Sequence, residues 1–317
     1  MMKISKGIGI TLIILIGIVA VGISAGLGFL IANHKDGNFS DIFKSGFSFN
    51  NYSTKLVESK TFDDITDIDF TVDTGDLFIK ESTDDKITVE IYSDYEKSHK
   101  IDLVEDKITV EFESKSDISI FKKGNKFIIK LPKSYDKNMN LDIKTGDIEA
   151  PAFESANYNL KVTTGDIEID TANEINGTIT TGDVEIKKAN VVTLGITTGD
   201  VEISEVKDLT TTITTGDVEV DSVDNLNSKM TTGDLDARSV NNSIVVSTTT
   251  GDVKVKNATI TNNSSITTKT GDVKINHLTG AYVETKTRIG DIRVNDNDRK
   301  AEYEIKITTN VGDISVN

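Results

Sequence analysis

The sequence contains no cysteine and no tryptophan, and its 317 residues include only two prolines and three histidines. The lack of cysteine excludes a disulfide-stapled fold and cysteine-based zinc sites, and so little proline excludes a collagen-like chain. Basic residues are also scarce, 35 against 51 acidic ones, which gives a formal net charge of -16. Nucleic acid is therefore not expected as a partner, because its binding needs clustered lysine and arginine facing phosphate.

One long stretch has no charge at all, from Gly7 to Ala32. About 20 apolar residues in a helix cross the hydrocarbon core of a bilayer, so residues 1–32 are predicted to hold a short cytoplasmic N-terminus and a transmembrane helix. Lys3 and Lys6 precede the apolar run, which favours the N-terminus inside and the rest of the chain outside the cell membrane. A cleaved signal peptide is the alternative, although its apolar core is usually shorter. Residues 33–60 are polar and are predicted to be a linker.

The remainder of the chain repeats a short motif, as in ITTGDVEI, GITTGDVEI and TITTGDVEV, and alternates apolar and polar residues as strands do. Four successive steps from Gly165 to Gly233 are 17 residues long, and the neighbouring steps are 18 to 22 residues. A fixed step predicts an all-β solenoid: a single-stranded parallel β-helix with coils of 17–20 residues, right-handed by default. The repeat is predicted to occupy residues 146–317, and residues 61–145 an irregular β cap at its N-terminal end. The glycines of the Gly-Asp pairs are Gly75, Gly146, Gly165, Gly182, Gly199, Gly216, Gly233, Gly251, Gly271, Gly290 and Gly312.

Alignment of the coils on the glycine shows which side chains face inward, because successive residues of a strand face opposite sides. Stacked coils would bury each aliphatic residue on its counterparts above and below. The inward columns stand three places before the glycine (Val162, Ile179, Ile196, Ile213, Met230), two after it (Ile167, Val184, Val201, Val218, Leu235, Val253, Val273, Ile292) and four after it (Ile169, Ile186, Ile203, Val220, Val255, Ile275, Val294).

The Thr-Thr-Gly-Asp corner also has a structural explanation. Glycine tolerates the positive φ of a tight bend, and the aspartate can accept hydrogen bonds from local backbone N–H groups. The outward threonines can stack as a ladder. The repeat is thus predicted to have a structural role. Its structural turn glycines are Gly146, Gly165, Gly182, Gly199, Gly216, Gly233, Gly251 and Gly271.

The sequence resembles a known family in its repeated Gly-Asp-[Ile/Val]-Glu-[Ile/Val] units and in two segments ahead of the repeat, FTVDTGDLFIKE and FIIKLPKSYDKNMNLDIKTGDIEA. They look like the bacterial putative-adhesin family, a domain of unknown function that includes LiaG-like membrane-anchored envelope proteins. The resemblance covers roughly residues 60–317 and implies one membrane helix and a β-solenoid. The chain departs from the motif at Ile289-Gly290 and Val311-Gly312, where threonine is replaced, so the regularity of the last two coils is not predicted.

No catalytic residue, cofactor or defined metal site is predicted. His34, His99 and His277 lie far apart, with no spacing suited to zinc or a catalytic triad. A polysaccharide-active β-helix is a minor alternative, since such enzymes use calcium held by aspartate, but nothing singles out one aspartate here. The repeated carboxylates form a candidate face for weak calcium binding, at Asp166, Asp183, Asp200, Asp217, Glu168, Glu185, Glu202 and Glu219.

One outward column reverses its charge along the chain. Three places after the glycine stand Glu149, Glu168, Glu185, Glu202, Glu219 and Asp236, followed by Lys254, Lys274 and Arg293. This pattern is typical either of a solvated face with local charge balance or of a dipolar rod. Two functions remain open: a non-enzymatic binding or adhesion module that meets wall polymer, an envelope protein or itself, and a structural or regulatory component of an envelope-stress system.

Overall fold

The computed structural model describes residues 52–94, 99–105, 107–113, 124–295 and 297–317. The predicted transmembrane helix, and the predicted linker up to residue 51, lie outside these residues. Within the described ranges, no helix has the length and apolar character needed to cross a membrane. Residues 51–317 form one compact unit.

The described residues form an all-β fold, as predicted. Period-two alternation of aliphatic and polar residues produces strands, and each Gly-Asp pair ends one strand and begins the next. The strands are β1 Leu56–Phe62, β2 Asp67–Thr74, β3 Asp76–Glu81, β4 Ile87–Tyr92, β5 His99–Val104, β6 Lys107–Phe112, β7 Lys126–Leu131, β8 Asn138–Thr145, β9 Ile148–Ala150, β10 Asn157–Thr164, β11 Ile167–Thr181, β12 Val184–Thr198, β13 Val201–Thr215, β14 Val218–Thr232, β15 Leu235–Thr250, β16 Val253–Thr259, β17 Ser264–Thr270, β18 Val273–Thr279, β19 Ala281–Ile289, β20 Ile292–Val294, β21 Tyr303–Val311 and β22 Ile314–Val316.

The central coils form a parallel β-solenoid. Strands β11 to β14 pair side by side and in parallel, and each equivalent position lies on its counterpart in the next coil. Val201, for example, pairs with Val184 on one side and with Val218 on the other, and none of the three is more than 2% exposed. The prediction that these columns face inward is confirmed for the central coils. One coil alone buries little, so the core depends on stacking.

At the C-terminal end, the order of the coils in space differs from their order in the chain. Strands β21 and β22 lie between the coil of β17 and β18 and the coil of β19 and β20. The last segment of the chain is thus inserted, and the coil that contains Gly290 ends the stack.

This order corrects two of the inward assignments. Ile292 is 45% exposed and Val294 is only half-buried, although both were predicted to face the core. The reason is that β20 has a neighbouring coil on one side, in β22, and among the described residues none on the other.

The N-terminal end also has an inserted coil. Strands β2 and β3 lie between β6 and β7 on one side and β8 and β9 on the other, all in parallel. Beyond them the pairing becomes antiparallel: β5 joins β6, while β4 joins β7 and β1 joins β4. The ring of Phe127 meets those of Phe70 and Phe112 edge-on at 5.3 and 5.2 Å, and all three are buried in the core at this end. The antiparallel strands cover the first coils.

Candidate functional site

The most regular feature of the outer surface is the line of Gly-Asp turns. In the described residues eleven glycines that precede an aspartate have φ between 136° and 149°, a region that L-residues rarely adopt. The turns also stack closely. A Cβ added to Gly199 would lie 1.9 Å from the carbonyl oxygen of Gly182 in the preceding coil. The glycine is therefore required by conformation and by space at once.

The aspartates of these turns form a continuous hydrogen-bond ladder between coils. The backbone N–H of Asp200 donates to Oδ1 of Asp183 at 2.7 Å, and the N–H of Asp217 donates to Oδ1 of Asp200 at 2.7 Å. This result corrects the expectation of bonds within the local turn: the donor belongs to the next coil. The ladder runs through Asp76, Asp147, Asp166, Asp183, Asp200, Asp217, Asp234, Asp252, Asp272, Asp313 and Asp291.

The close stacking changes the electrostatics of these carboxyl groups. Partial burial, together with the neighbouring aspartates, raises the pKa of Asp183 to about 6, although the hydrogen bond from Asp200 opposes the change. Burial likewise raises the pKa of Asp147 and of Asp217. These three carboxyl groups therefore carry their negative charge at a desolvation cost, and they bind protons more readily than free aspartate does.

A second acidic row lies beside the turns. Glu168, Glu185, Glu202 and Glu219 pair directly in register, with Glu149 and Asp236 at the ends. Burial and then the neighbouring carboxylates raise the pKa values of Glu202 and Glu219. Asp236 is followed in the stack by Lys254 and Lys274. The sign of the row thus reverses between adjacent coils, as the sequence indicated.

The inserted C-terminal coil adds one residue to this row that the chain order does not show. Ser315 lies between Lys274 and Arg293, so the basic part of the row is interrupted by a hydroxyl group. Two places further along the same strands, Lys187 pairs with Asp170 and also lies 3.9 Å from Glu168 of the acidic row, and Arg238 pairs with Asp221 at 3.0 Å.

The predicted calcium face is thus brought together as two parallel rows. Oδ1 of each turn aspartate on that face already accepts a backbone N–H. Among the residues that the structure describes, no group of three or more histidine, cysteine, aspartate or glutamate side chains has an arrangement that could hold a metal ion. Weak, multiple calcium binding stays a prediction.

A polar groove on the sheet that leads into the turns was not predicted. It has two adjoining parts of about 390 and 310 Å³, which share Asn159 and Lys161. Its floor is lined by a row of amides, Asn140, Asn159 and Asn176, which are paired in register. The side-chain N–H of Asn159 donates to Oδ1 of Asn140 at 2.9 Å. The sequence signal for this row was asparagine six places before the glycine in three successive coils.

Comparison with known proteins shows which family the chain belongs to. A family model described as Toastrack DUF4097 matches residues 65–317. The chain belongs to this family. The resemblance to putative-adhesin proteins is confirmed at this level, whereas the likeness to LiaG-like members stays a prediction. No functionally curated protein matches the chain.

Several solved structures are similar to this Toastrack DUF4097 chain. A putative adhesin from Bacteroides fragilis NCTC 9343 is 16% identical, with a TM-score of 0.35, over 84% of this chain and 98% of the other. A putative adhesin from Parabacteroides distasonis ATCC 8503 is 16% identical, with a TM-score of 0.36, over 82% and 97%. A putative cell adhesion protein from Clostridium sporogenes ATCC 15579 is 11% identical, with a TM-score of 0.23, over 83% and 99%.

Proposed function

We propose that this chain is a non-enzymatic binding or adhesion module of the bacterial cell envelope. In this proposal the N-terminal segment anchors it in the cell membrane, and the solenoid lies outside the cytoplasm. The observation that supports it best is the outward row that changes from six acidic side chains to basic ones on an otherwise constant frame.

The different roles of the inward, turn and outward residues of each coil support this proposal. The inward residues form the aliphatic columns of the core, and the turn glycines and aspartates form the contacts between coils. Only the outward positions are left to vary without loss of the fold. A stack of strands about 4.8 Å apart presents these side chains at a regular spacing, which suits an extended polymer or a broad protein surface.

The location can be tested by adding protease to intact cells from which the wall has been removed. The proposal predicts that the solenoid is digested while cytoplasmic proteins survive. A solenoid that is protected until the membrane is broken would contradict the proposed orientation. Release of an intact solenoid without protease would show that the N-terminal segment is cleaved.

Binding can be tested by co-sedimentation of residues 51–317 with isolated envelopes of the source bacterium. The variant Glu185→Gln/Glu202→Gln/Glu219→Gln removes the charge of the acidic row and keeps its shape. The matched control Thr180→Val/Thr197→Val/Thr214→Val changes three exposed residues of the same coils. We expect the folded wild type to be retained and the glutamine variant to be retained less than the valine control. Retention no greater than that of an unrelated acidic protein would contradict the proposal.

A further inference from the structure

The two ends of the solenoid differ in how their strand edges are covered. At the N-terminal end, antiparallel strands lie over the parallel coils, and Lys60 of β1 forms an ion pair with Asp102 of β5 at 3.0 Å. At the other end, β19 pairs with β21 on one side, and no strand of the described chain pairs with its outer edge. Ile289, at the end of β19, is 58% exposed. An uncovered edge of this kind can accept another strand.

One side chain shows which way the backbone of β19 faces. The amide of Asn297 accepts a hydrogen bond from the N–H of Val283 at 2.9 Å and donates one to its carbonyl oxygen at 2.9 Å. It thus satisfies both groups, as a neighbouring strand would. Backbone groups alternate along a strand, so those of Thr285 point to the same outer side as those of Val283. Asn297 covers only one position of this edge.

The sequence of β19 is complementary to itself when reversed. Its outward side chains are Tyr282, Glu284, Lys286 and Arg288, and the last three are exposed. In an antiparallel pair centred on Thr285, Glu284 of each copy faces Lys286 of the other. Tyr282 then faces Arg288, which allows a cation–π contact. Opposite charges across a strand pair stabilise it, and like charges destabilise it.

The same register also suits the inner side of the strand. Val283 lies opposite Thr287, and Ile289 lies opposite Ala281, so the exposed isoleucine meets a small apolar residue. Shifting the register by two residues centres the pair on Lys286 and places that lysine opposite itself, and shifting it by four, to centre it on Thr287, places Lys286 opposite Arg288 in both directions. Charge therefore favours one register.

From this complementarity we propose that the partner at the C-terminal tip is a second copy of the chain, joined by antiparallel pairing of the two β19 edges. The inference rests on the proposed function and names a partner for it. Two solenoids joined in this way would carry their N-terminal ends at opposite extremes, an arrangement that can link two anchored molecules tip to tip.

Contacts within one copy compete with this pairing. Lys306 forms an ion pair with Glu284 at 3.4 Å between exposed side chains, and Asn297 must release Val283 for the strand pair to extend over its whole length. Exposed ion pairs contribute little each. The pairing is accordingly weak and reversible, with dissociation in the micromolar range or above.

The test is a charge-exchange cycle on residues 51–317, followed by sedimentation velocity from micromolar to near-millimolar concentration. We expect the wild type to form dimers, and Lys286→Glu or Glu284→Lys alone to weaken them about tenfold or more. The double variant Glu284→Lys/Lys286→Glu restores opposite charges across the interface and should restore dimers. Lys229→Glu, an equal change in net charge at an exposed position in the middle of the stack, should leave dimers unchanged.

Removal of the competing amide provides a second readout. Asn297→Ala frees the backbone groups of Val283 and should strengthen dimerisation. A wild type that stays monomeric at every concentration, or a double variant no better than the single ones, would overturn the proposal. Envelope binding by a strictly monomeric protein would leave the proposed function intact, so the two failures are distinguishable.

Discussion

The stacking of glycine on glycine can be tested with one residue type at two positions of the same coil. Gly199 has a φ of 146°, and an added Cβ would meet the carbonyl oxygen of Gly182 at 1.9 Å and its carbonyl carbon at 2.7 Å. The unfavourable φ costs about 1–3 kcal/mol. Relief of the overlap requires these two coils to separate, which weakens the bonds from Gly182 N–H to the carbonyl oxygen of Thr198 at 3.1 Å and from Val184 N–H to that of Asp200 at 2.9 Å. Two such bonds add about 1–3 kcal/mol, so Gly199→Ala should cost about 2–6 kcal/mol in total.

Gly195 provides the matched control. It lies four residues earlier, and a Cβ added there would be 3.9 Å from its nearest neighbour, the carbonyl oxygen of Gly177. Gly195→Ala should leave stability unchanged or raise it by a few tenths of a kcal/mol, since alanine restricts the unfolded chain. Urea unfolding of residues 51–317, followed by circular dichroism, measures both variants against the wild type. Equal free energies of unfolding for the two variants would refute the account of the turn.

Three further predictions concern the core and the acidic rows. Val201→Asp places a charge between Val184 and Val218 and should lower the free energy of unfolding by about 3–5 kcal/mol. Thr212→Asp, which is outward in the same coil, should change the free energy of unfolding by less than about 0.5 kcal/mol. Thermal unfolding of both variants decides whether the column of Val201 faces inward. Because the pKa of Asp183 is raised from 3.8 to about 6, the folded state binds more protons than the unfolded state between these values, so stability should fall as pH rises from about 4 to about 7. Asp183→Asn keeps an acceptor for the Asp200 N–H and should raise the free energy of unfolding at pH 7 by about 1 kcal/mol after allowance for solvent screening. No gain is expected at pH 4. A gain of the same size at both pH values would contradict the explanation by the charge of Asp183. Calorimetry with calcium should give weak heats that correspond to millimolar affinity and that decrease in Glu185→Gln/Glu202→Gln/Glu219→Gln; identical heats from both proteins would leave the rows as solubilising surface.

The central coils could be predicted from the sequence because each residue has one local determinant. Period-two alternation places Val184 and Ile186 inward, and the glycine places the turn. With a constant step of 17 residues, any two neighbouring coils must stack in register. The outward charge row followed from the same alignment, and its reversal at Lys254 stands in the structure as it does in the sequence.

The order of the coils at the two ends could not be predicted in this way. The segments around Gly271, Gly290 and Gly312 carry nearly the same strand pattern, so each could stack on either of the others. The stacking order is decided by pairing between strands that are far apart in the sequence, and the pattern of a single strand does not show which strand it pairs with. The sequence signals at the C-terminal end were the replacement of threonine by Ile289 and Val311 before the glycine and the longer step of 22 residues from Gly290 to Gly312, and neither of them gives the order of the coils. The polar groove was missed for a related reason: Asn140, Asn159 and Asn176 read as ordinary outward residues until the coils are stacked.

The stacking order decides which strand is free at the tip, and the absence of native cysteine allows it to be measured directly by engineered disulfides. Adjacent strands lie about 4.8 Å apart, within disulfide range, whereas strands two places apart lie beyond it. The account predicts that Lys274→Cys/Ser315→Cys forms a disulfide under mild oxidation and that Lys274→Cys/Arg293→Cys does not, because Ser315 lies between Lys274 and Arg293. A disulfide in the second variant and none in the first would show that the coils stack in chain order, and would contradict the structure proposed for the tip.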